Sequence, residues 1–345
     1  MNIYTKEGWL DIPHINEVAD RNNINFIFII GKRQVGKTYG VLKFMLENNK
    51  TFMFSRRTAT ELDMLEHNVN SPFEAILPNM TRFRKEGKYT AQMEKLETSE
   101  EGDTWHSFGL ASALSTIGNI RGFNGKPYTD WIIDEAIPEV QLFKIRNEKD
   151  TFLNAHVTIN GNRELEGKPC LRTWLLANSN SLDSGILEAL NITRVVEKMS
   201  LAGIEDRILK DRGIMILMPE SKAVIEKRKK TGLMRAISHD SQFARMAFKN
   251  EFAYNDYSDV RSAPIQNYIP LASIGDIVIN LHKNDKTLYI TDVLRAKARY
   301  VYQDNEAGRR KFNVELSDVR SAYLQGRVIF NNQKVKNYFK NLVNV

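Results

Sequence analysis

The chain has 345 residues, 42% of them apolar and 26% charged, an ordinary globular composition with room for a sizeable core and about two domains. Its formal net charge of +7 favours an anionic partner such as nucleic acid. The single cysteine, Cys170, excludes a disulfide framework or a multi-cysteine zinc site, and no stretch approaches the ~20 apolar residues of a membrane span.

"MNIYTKEGWLDIP" does not read as a signal peptide, so a protein of the reducing cytosol with no membrane partner is expected. The first two hundred residues alternate strand-like and helix-like segments, which predicts a mostly parallel α/β sheet. "INFIFII" is a strand apolar on both faces. "KTYGVLKFMLENN" follows as a helix ending at Asn48 and Asn49. "TFMFSRR" is a second strand and "ATELDMLEHNV" a helix. Residues 80–103 are polar and predict an exposed hairpin or excursion. "TWHSFGLA" resumes as strand, and "STIGNIRGFNGKPY" is a glycine-containing loop with the cations Arg121 and Lys126. "TDWIIDEA" is a strand, "TFLNAHVTING" a helix and "CLRTWLLANSNS" a further strand. Residues 1–200 therefore read as one domain. Residues 201–247, with "DRILKDRG" and the basic run Glu226 to Lys230, read as a basic helical linker. Residues 248–345 read as a small α+β domain: "DIVINLHKNDKTLYITDV" alternates about Asn284 and Asp285 as a hairpin, and the tail reads helix, glycine turn, short strand, helix.

Between the first strand and the first of these helices stands "GKRQVGKT", which fits G-x-x-x-x-G-K-[ST]. That spacing lets the backbone turn tightly, so that successive N–H groups, those of Gln34 and Val35 included, point at one phosphate. Gly31 and Gly36 stand where a side chain would clash or where φ must be unusual. Lys37 can reach the outer phosphates, Thr38 can offer its hydroxyl to Mg²⁺, and the helix adds its N-terminal dipole. ATP and Mg²⁺ are the ligands expected.

Hydrolysis also needs a metal anchor and a way to position water. "WIIDEA" ends a buried strand, expected beside the first one, in Asp134 and Glu135. Asp134 is the candidate metal ligand and Glu135 the candidate base. Asn178 ends the strand "WLLAN", from which it can meet a phosphate or the attacking water. Arg56, Arg57 and Arg163 are candidates to meet phosphate charge, as an arginine finger can do from a neighbouring subunit. Arg121 and Lys126 are candidates to touch a DNA backbone.

The order "GKRQVGKT", "FMFSRR", "WIIDEAIPE", "NGNRE", "WLLANSNS", with "EKRKKTGLMRAISHDSQFARMAFKNEF" and "VRSAYLQGRVIFNNQKVKN", resembles the DNA-packaging (encapsidation) ATPases of small phi29-like tailed bacteriophages. The resemblance implies an N-terminal P-loop ATPase of the additional-strand, catalytic-glutamate class, related to viral terminases. It implies a C-terminal domain like a degenerate RNase H-type nuclease. It further implies a homo-oligomeric ring, a pentamer, at the portal vertex of a procapsid in the host cytoplasm, pumping double-stranded DNA inward. In the family's best-known member a structural RNA links ATPase to capsid. Two positions depart from that member: Gly161 and Ala59 stand where it carries an arginine and a lysine.

A two-metal nuclease needs converging carboxylates. "IVINLH" offers Asn280 instead of an acid, and Asp292 and Asp318 lack a third partner, so the domain is read as a docking or DNA-gripping module. A RecA- or AAA-like helicase or DNA-transfer ATPase would share every nucleotide motif. A nucleotide-dependent switch with negligible turnover is the other alternative, and Glu135 speaks against it.

Overall fold

The computed structural model describes residues 1–32, 35–65, 71–87, 89–100, 102–119, 125–138, 145–179, 181–229, 232, 257–294 and 296–343. Gln34, Arg121 and most of the basic stretch 230–256 lie outside them. The chain divides into two compact units, Met1–Ile192 with Lys198–Ala253, and Thr193–Glu197 with Tyr254–Val345.

The first unit opens with a helix that the sequence reading did not anticipate, α1 (Ile12–Arg21). The Asp11 carboxylate accepts from the His14 N–H, Pro13 occupies the first turn, and Ile12, Ile15 and Ala19 are buried at helical spacing. β1 (Phe26–Gly31) leads through the glycine loop into α2 (Lys37–Glu47). β2 (Phe52–Arg56) and the short α3 (Ala59–Leu65) follow. The polar segment 80–103 supplies β3 (Thr81–Lys85), β4 (Thr90–Ser99) and the start of β5 (Gly102–Ala113), an antiparallel meander. β6 (Asp130–Ile133), α4 (Glu148–Asn160) and β7 (Arg172–Asn178) complete the expected alternation.

α5 (Gly185–Ala189) and α6 (Thr193–Ala202) follow. "DRILKDRG" is not the expected α-helix. It forms β8 (Asp206–Leu209) and a turn closed by Gly213 at φ +60°, and then comes β9 (Ile214–Leu217). The basic residues that suggested a helix face belong to an edge strand and its turn. "IMIL" is the continuous apolar run of a strand buried between β1 and β8. α7 (Lys222–Lys229) follows.

The nine strands run β3-β4-β5-β2-β6-β7-β1-β9-β8. The pairs from β5 to β9 are parallel, and the antiparallel pairs lie at the two flanks. Trp131 and Trp174, both fully buried, anchor the middle. Trp131 stacks on Phe152 of α4 with centroids 5.8 Å apart. The sequence reading put the Asp134 strand beside the first strand. In the structure β7 lies between them, which brings Asn178 into register with Gly31.

The second unit is α+β. β10 (Tyr268–Ile274), β11 (Ile277–His282), β12 (Leu288–Thr291), β13 (Tyr300–Tyr302) and β14 (Val328–Phe330) form a sheet ordered β13-β10-β11-β12-β14. β11 and β12 are the expected hairpin. α8 (Glu306–Glu315), α9 (Ser317–Leu324) and α10 (Gln333–Val343) pack Phe312, Val319 and Phe339 into its core.

Candidate nucleotide-phosphate site

The carboxyl ends of β1, β2, β6 and β7 share one edge of the first sheet, where open α/β sheets bind ligands. The glycine loop leaves β1 there. A Cβ on Gly31 would lie 3.0 Å from the Pro219 ring. Gly36 caps α2 at φ +82°, a conformation that side chains disfavour. Lys37 then starts the helix with its side chain turned inward.

That side chain is the hub. Lys37 Nζ donates to Gly31 O at 3.0 Å, Lys32 O at 2.8 Å and Asn178 Oδ1 at 3.0 Å. The other end of the same amide, Asn178 Nδ2, donates to Glu135 Oε2 at 3.0 Å and Oε1 at 3.3 Å. Asn178 therefore joins the candidate phosphate lysine to the candidate base. Beside it, Thr38 Oγ1 donates to Asp134 Oδ1 at 2.9 Å, and the Arg56 guanidinium meets Asp134 Oδ2 at 3.1 Å. Glu135 adopts φ +57°, uncommon for a non-glycine residue, just where the chain leaves β6. Its N–H donates to Asp134 Oδ1 at 3.2 Å.

Lys37 and Asp134 are 8% and 4% exposed, so these charges are largely removed from water, as is the 6% exposed Asn178 amide between them and Glu135. Buried charges persist only when paired. Lys37 and Arg56 balance Asp134 and Glu135.

The structure thus brings Gly31, Gly36, Lys37, Thr38, Arg56, Asp134, Glu135 and Asn178 to one place. Val35 lies in the loop with its side chain buried against Gly31. Two arginines go elsewhere. Arg57 is 1% exposed and turns into the core, with Nη1 2.5 Å from Glu148 Oε1 and donating to Ala136 O at 3.2 Å. Arg163 is buried at the opposite end of β6, donating through Nη2 to the carbonyls of Lys126 at 3.1 Å, Gly125 and Tyr128. Lys126 is engaged by Glu166 at 2.6 Å. The sequence reading missed the pair of Lys32 with Glu220, 3.0 Å apart. No local signal could reveal it, because 188 residues separate the partners.

In the second unit, Asn280 is 2% exposed and donates to Tyr289 O at 2.9 Å and Val278 O at 3.2 Å. Asp292 accepts from Asn331 at 2.7 Å and Asn332 at 3.3 Å. Asp318 sits in the first turn of α9. Among the described residues no three His, Cys, Asp or Glu side chains gather as a metal site would require.

Fold and site together define an α/β protein that gathers a lysine, a threonine, an Asp–Glu pair and an asparagine around a glycine loop at the carboxyl edge of a parallel sheet. Over 99% of its own length and 99% of theirs, the chain is similar to two solved structures. One is the bacteriophage Phi-29 viral genome packaging motor assembly, with TM-score 0.63 and 17% identity; the other is the Phi-28 gp11 DNA packaging motor, with TM-score 0.62 and 16% identity. The chain has the fold of these phage packaging motors. No protein-family model and no curated protein matches it.

Proposed function

We propose that this protein is an ATP-driven translocase of double-stranded DNA that packages a viral genome as a homo-oligomeric ring, a pentamer, at the portal of a procapsid. It is expected in the host cytoplasm, with a structural RNA as a further partner of the ring. The full-length likeness to packaging motors supports the task. The observation that carries the chemistry is the Asn178 amide joining Lys37 to Glu135 beside the Thr38–Asp134 pair.

In this reading the first unit is a P-loop ATPase of the additional-strand, catalytic-glutamate class, with β7 as the inserted strand. The site's charges already balance, so a triphosphate needs added positive charge. Thr38 and Asp134 offer adjacent hard oxygen donors and would be the residues to hold Mg²⁺. When bound, Mg²⁺ offsets charge on the phosphate oxygens.

The chain's own residues do the rest. The loop N–H groups and Lys37 hold the phosphates. Arg56 gives up Asp134 Oδ2 and is placed to meet phosphate oxygen instead. As phosphate engages Lys37, Asn178 loses one of its two side-chain partners, and the Glu135 carboxylate is released to accept a proton from the attacking water. Arg163 acts by holding the 125–128 segment. The second unit, read as a degenerate RNase H-like domain, docks or grips rather than cuts.

The test is steady-state ATP hydrolysis with and without double-stranded DNA, for the wild-type chain and Glu135→Gln. DNA-stimulated turnover that the substitution abolishes is expected. Nucleotide binding without turnover under conditions that favour assembly would overturn the motor reading in favour of a switch.

A further inference from the structure

The glycine loop is held from behind by the segment that leaves β9. β9 pairs with β1 in parallel, Ile29 opposite Leu217, so the two chains leave the sheet side by side at its carboxyl edge. Pro219 packs against Gly31, and one residue later Glu220 meets Lys32, the residue with which the chain leaves β1 for the loop. The Lys32 side chain is 1% exposed and that of Glu220 37%, with 3.0 Å between Nζ and Oε1. A buried ammonium is tolerable only against a counter-charge, so this carboxylate decides where the Lys32 side chain lies.

Glu220 is itself a fixed point. The Met218 N–H donates to Glu205 O at 2.7 Å, and the Glu220 N–H to the Tyr4 hydroxyl at 2.5 Å. The Ile225 N–H then donates to Ser221 O at 3.0 Å as α7 begins. The backbone end of Lys32 is committed as well. Its carbonyl accepts from Lys37 Nζ at 2.8 Å, and that of Gly31 does so at 3.0 Å. Lys32 is thus clamped at its side chain and at its carbonyl, which sets where Lys37 waits.

We infer that Lys32 and Glu220 are positioning residues, whose ion pair holds the glycine loop in the shape that receives phosphate. The inference deepens the phosphate-site reading above and rests on it. A loop already set in its binding shape escapes the ordering cost that a slack loop incurs when its ligand arrives. The pair is neutral as a whole, so it acts through shape and not through field. That separates it from a plain charge effect, in which Lys32 would attract phosphate and Glu220 would repel it.

Calorimetric titration of the full chain with ATP and Mg²⁺ tests it, using wild type, Lys32→Met, Glu220→Ala and the double variant, with thermal unfolding of each. All three variants are expected to bind ATP about tenfold more weakly, the double no worse than the singles, because each removes the same tie. In turnover the loss should appear in KM more than in kcat, since Glu135 and Asn178 keep their partners. Opposite signs, with Lys32→Met weaker and Glu220→Ala tighter, overturn the inference in favour of a charge effect. Lowered thermal stability with unchanged ATP affinity overturns it in favour of a purely structural pair. If a single variant with a stranded charge fails to fold, the double variant, which strands none, decides: wild-type affinity there overturns the tie. Wild-type protein that binds no ATP overturns the phosphate site itself, and the tie with it.

Discussion

Two buried asparagines, one in each unit, show what a polar residue in an apolar strand can mean. Asn178 ends β7 and Asn280 sits within β11; they are 6% and 2% exposed. Asn280 gives its N–H groups to backbone carbonyls and to Thr291 Oγ1 at 3.3 Å. Those partners cannot leave without breaking the hairpin. Asn178 gives both ends of its amide to ionisable side chains, Lys37 and Glu135. Such partners can be drawn away by an incoming anion. The same residue type is thus a fastener in one sheet and a connector in the other, and the difference lies in whether its partners are backbone or charge.

The sharpest way to test that contrast is to remove the charge at the end of the connector. Glu135→Gln is expected to lower ATP turnover about 10³-fold, within the span assigned to general bases, while nucleotide still binds. Asn280→Asp attacks the fastener. It sets a carboxylate against the Tyr289 carbonyl and should cost the second sheet about 3 kcal/mol. Hydrogen exchange along β11 and β12 in the full chain would register the loss as lowered protection, with basal turnover preserved. Asn178→Ala should do the reverse, lowering turnover about thirtyfold while costing only about 1 kcal/mol of stability, since Lys37 keeps two carbonyl partners. Equal losses of stability from the two asparagine substitutions, with turnover unaffected by either, would erase the distinction.

The smallest expected effect concerns a third buried polar group. His156 packs on Phe26 at 4.9 Å and on Trp131 at 6.5 Å, and its Nε2 has no hydrogen-bond partner. Burial holds its pKa below the ordinary 6.5, with Glu164 opposing. The unfolded chain therefore takes up the proton first. Stability from the neutral imidazole is full above that ordinary value and is lost as pH falls toward the lowered folded one. Thermal unfolding between neutral and mildly acidic pH should show a steeper fall for wild type than for His156→Phe.

Much of the candidate site was legible because its signals are short. Gly31, Gly36, Lys37 and Thr38 are near neighbours in sequence, and Asp134 and Glu135 end one apolar run. α1 was missed although its apolar spacing and its Asp11 cap are plain once sought. The β8–β9 hairpin was misread because short apolar runs among basic residues fit a helix face as well as an edge strand. Arg57 and Arg163 looked alike as candidates to meet phosphate charge. Their burial against Glu148 and against backbone carbonyls depends on segments distant in sequence.

The sequence by itself determined the glycine loop, the strand-end acids, the parallel α/β alternation and the hairpin of the second sheet. Each is written in consecutive residues whose backbone preferences and periodicity act locally. Only the tertiary structure decided that β7 lies between β1 and β6, that Asn178 consequently spans from Lys37 to Glu135, and that Arg56 rather than Arg57 or Arg163 reaches Asp134. Those outcomes follow from strand order and from burial, which are set by the competition of the whole chain for one core.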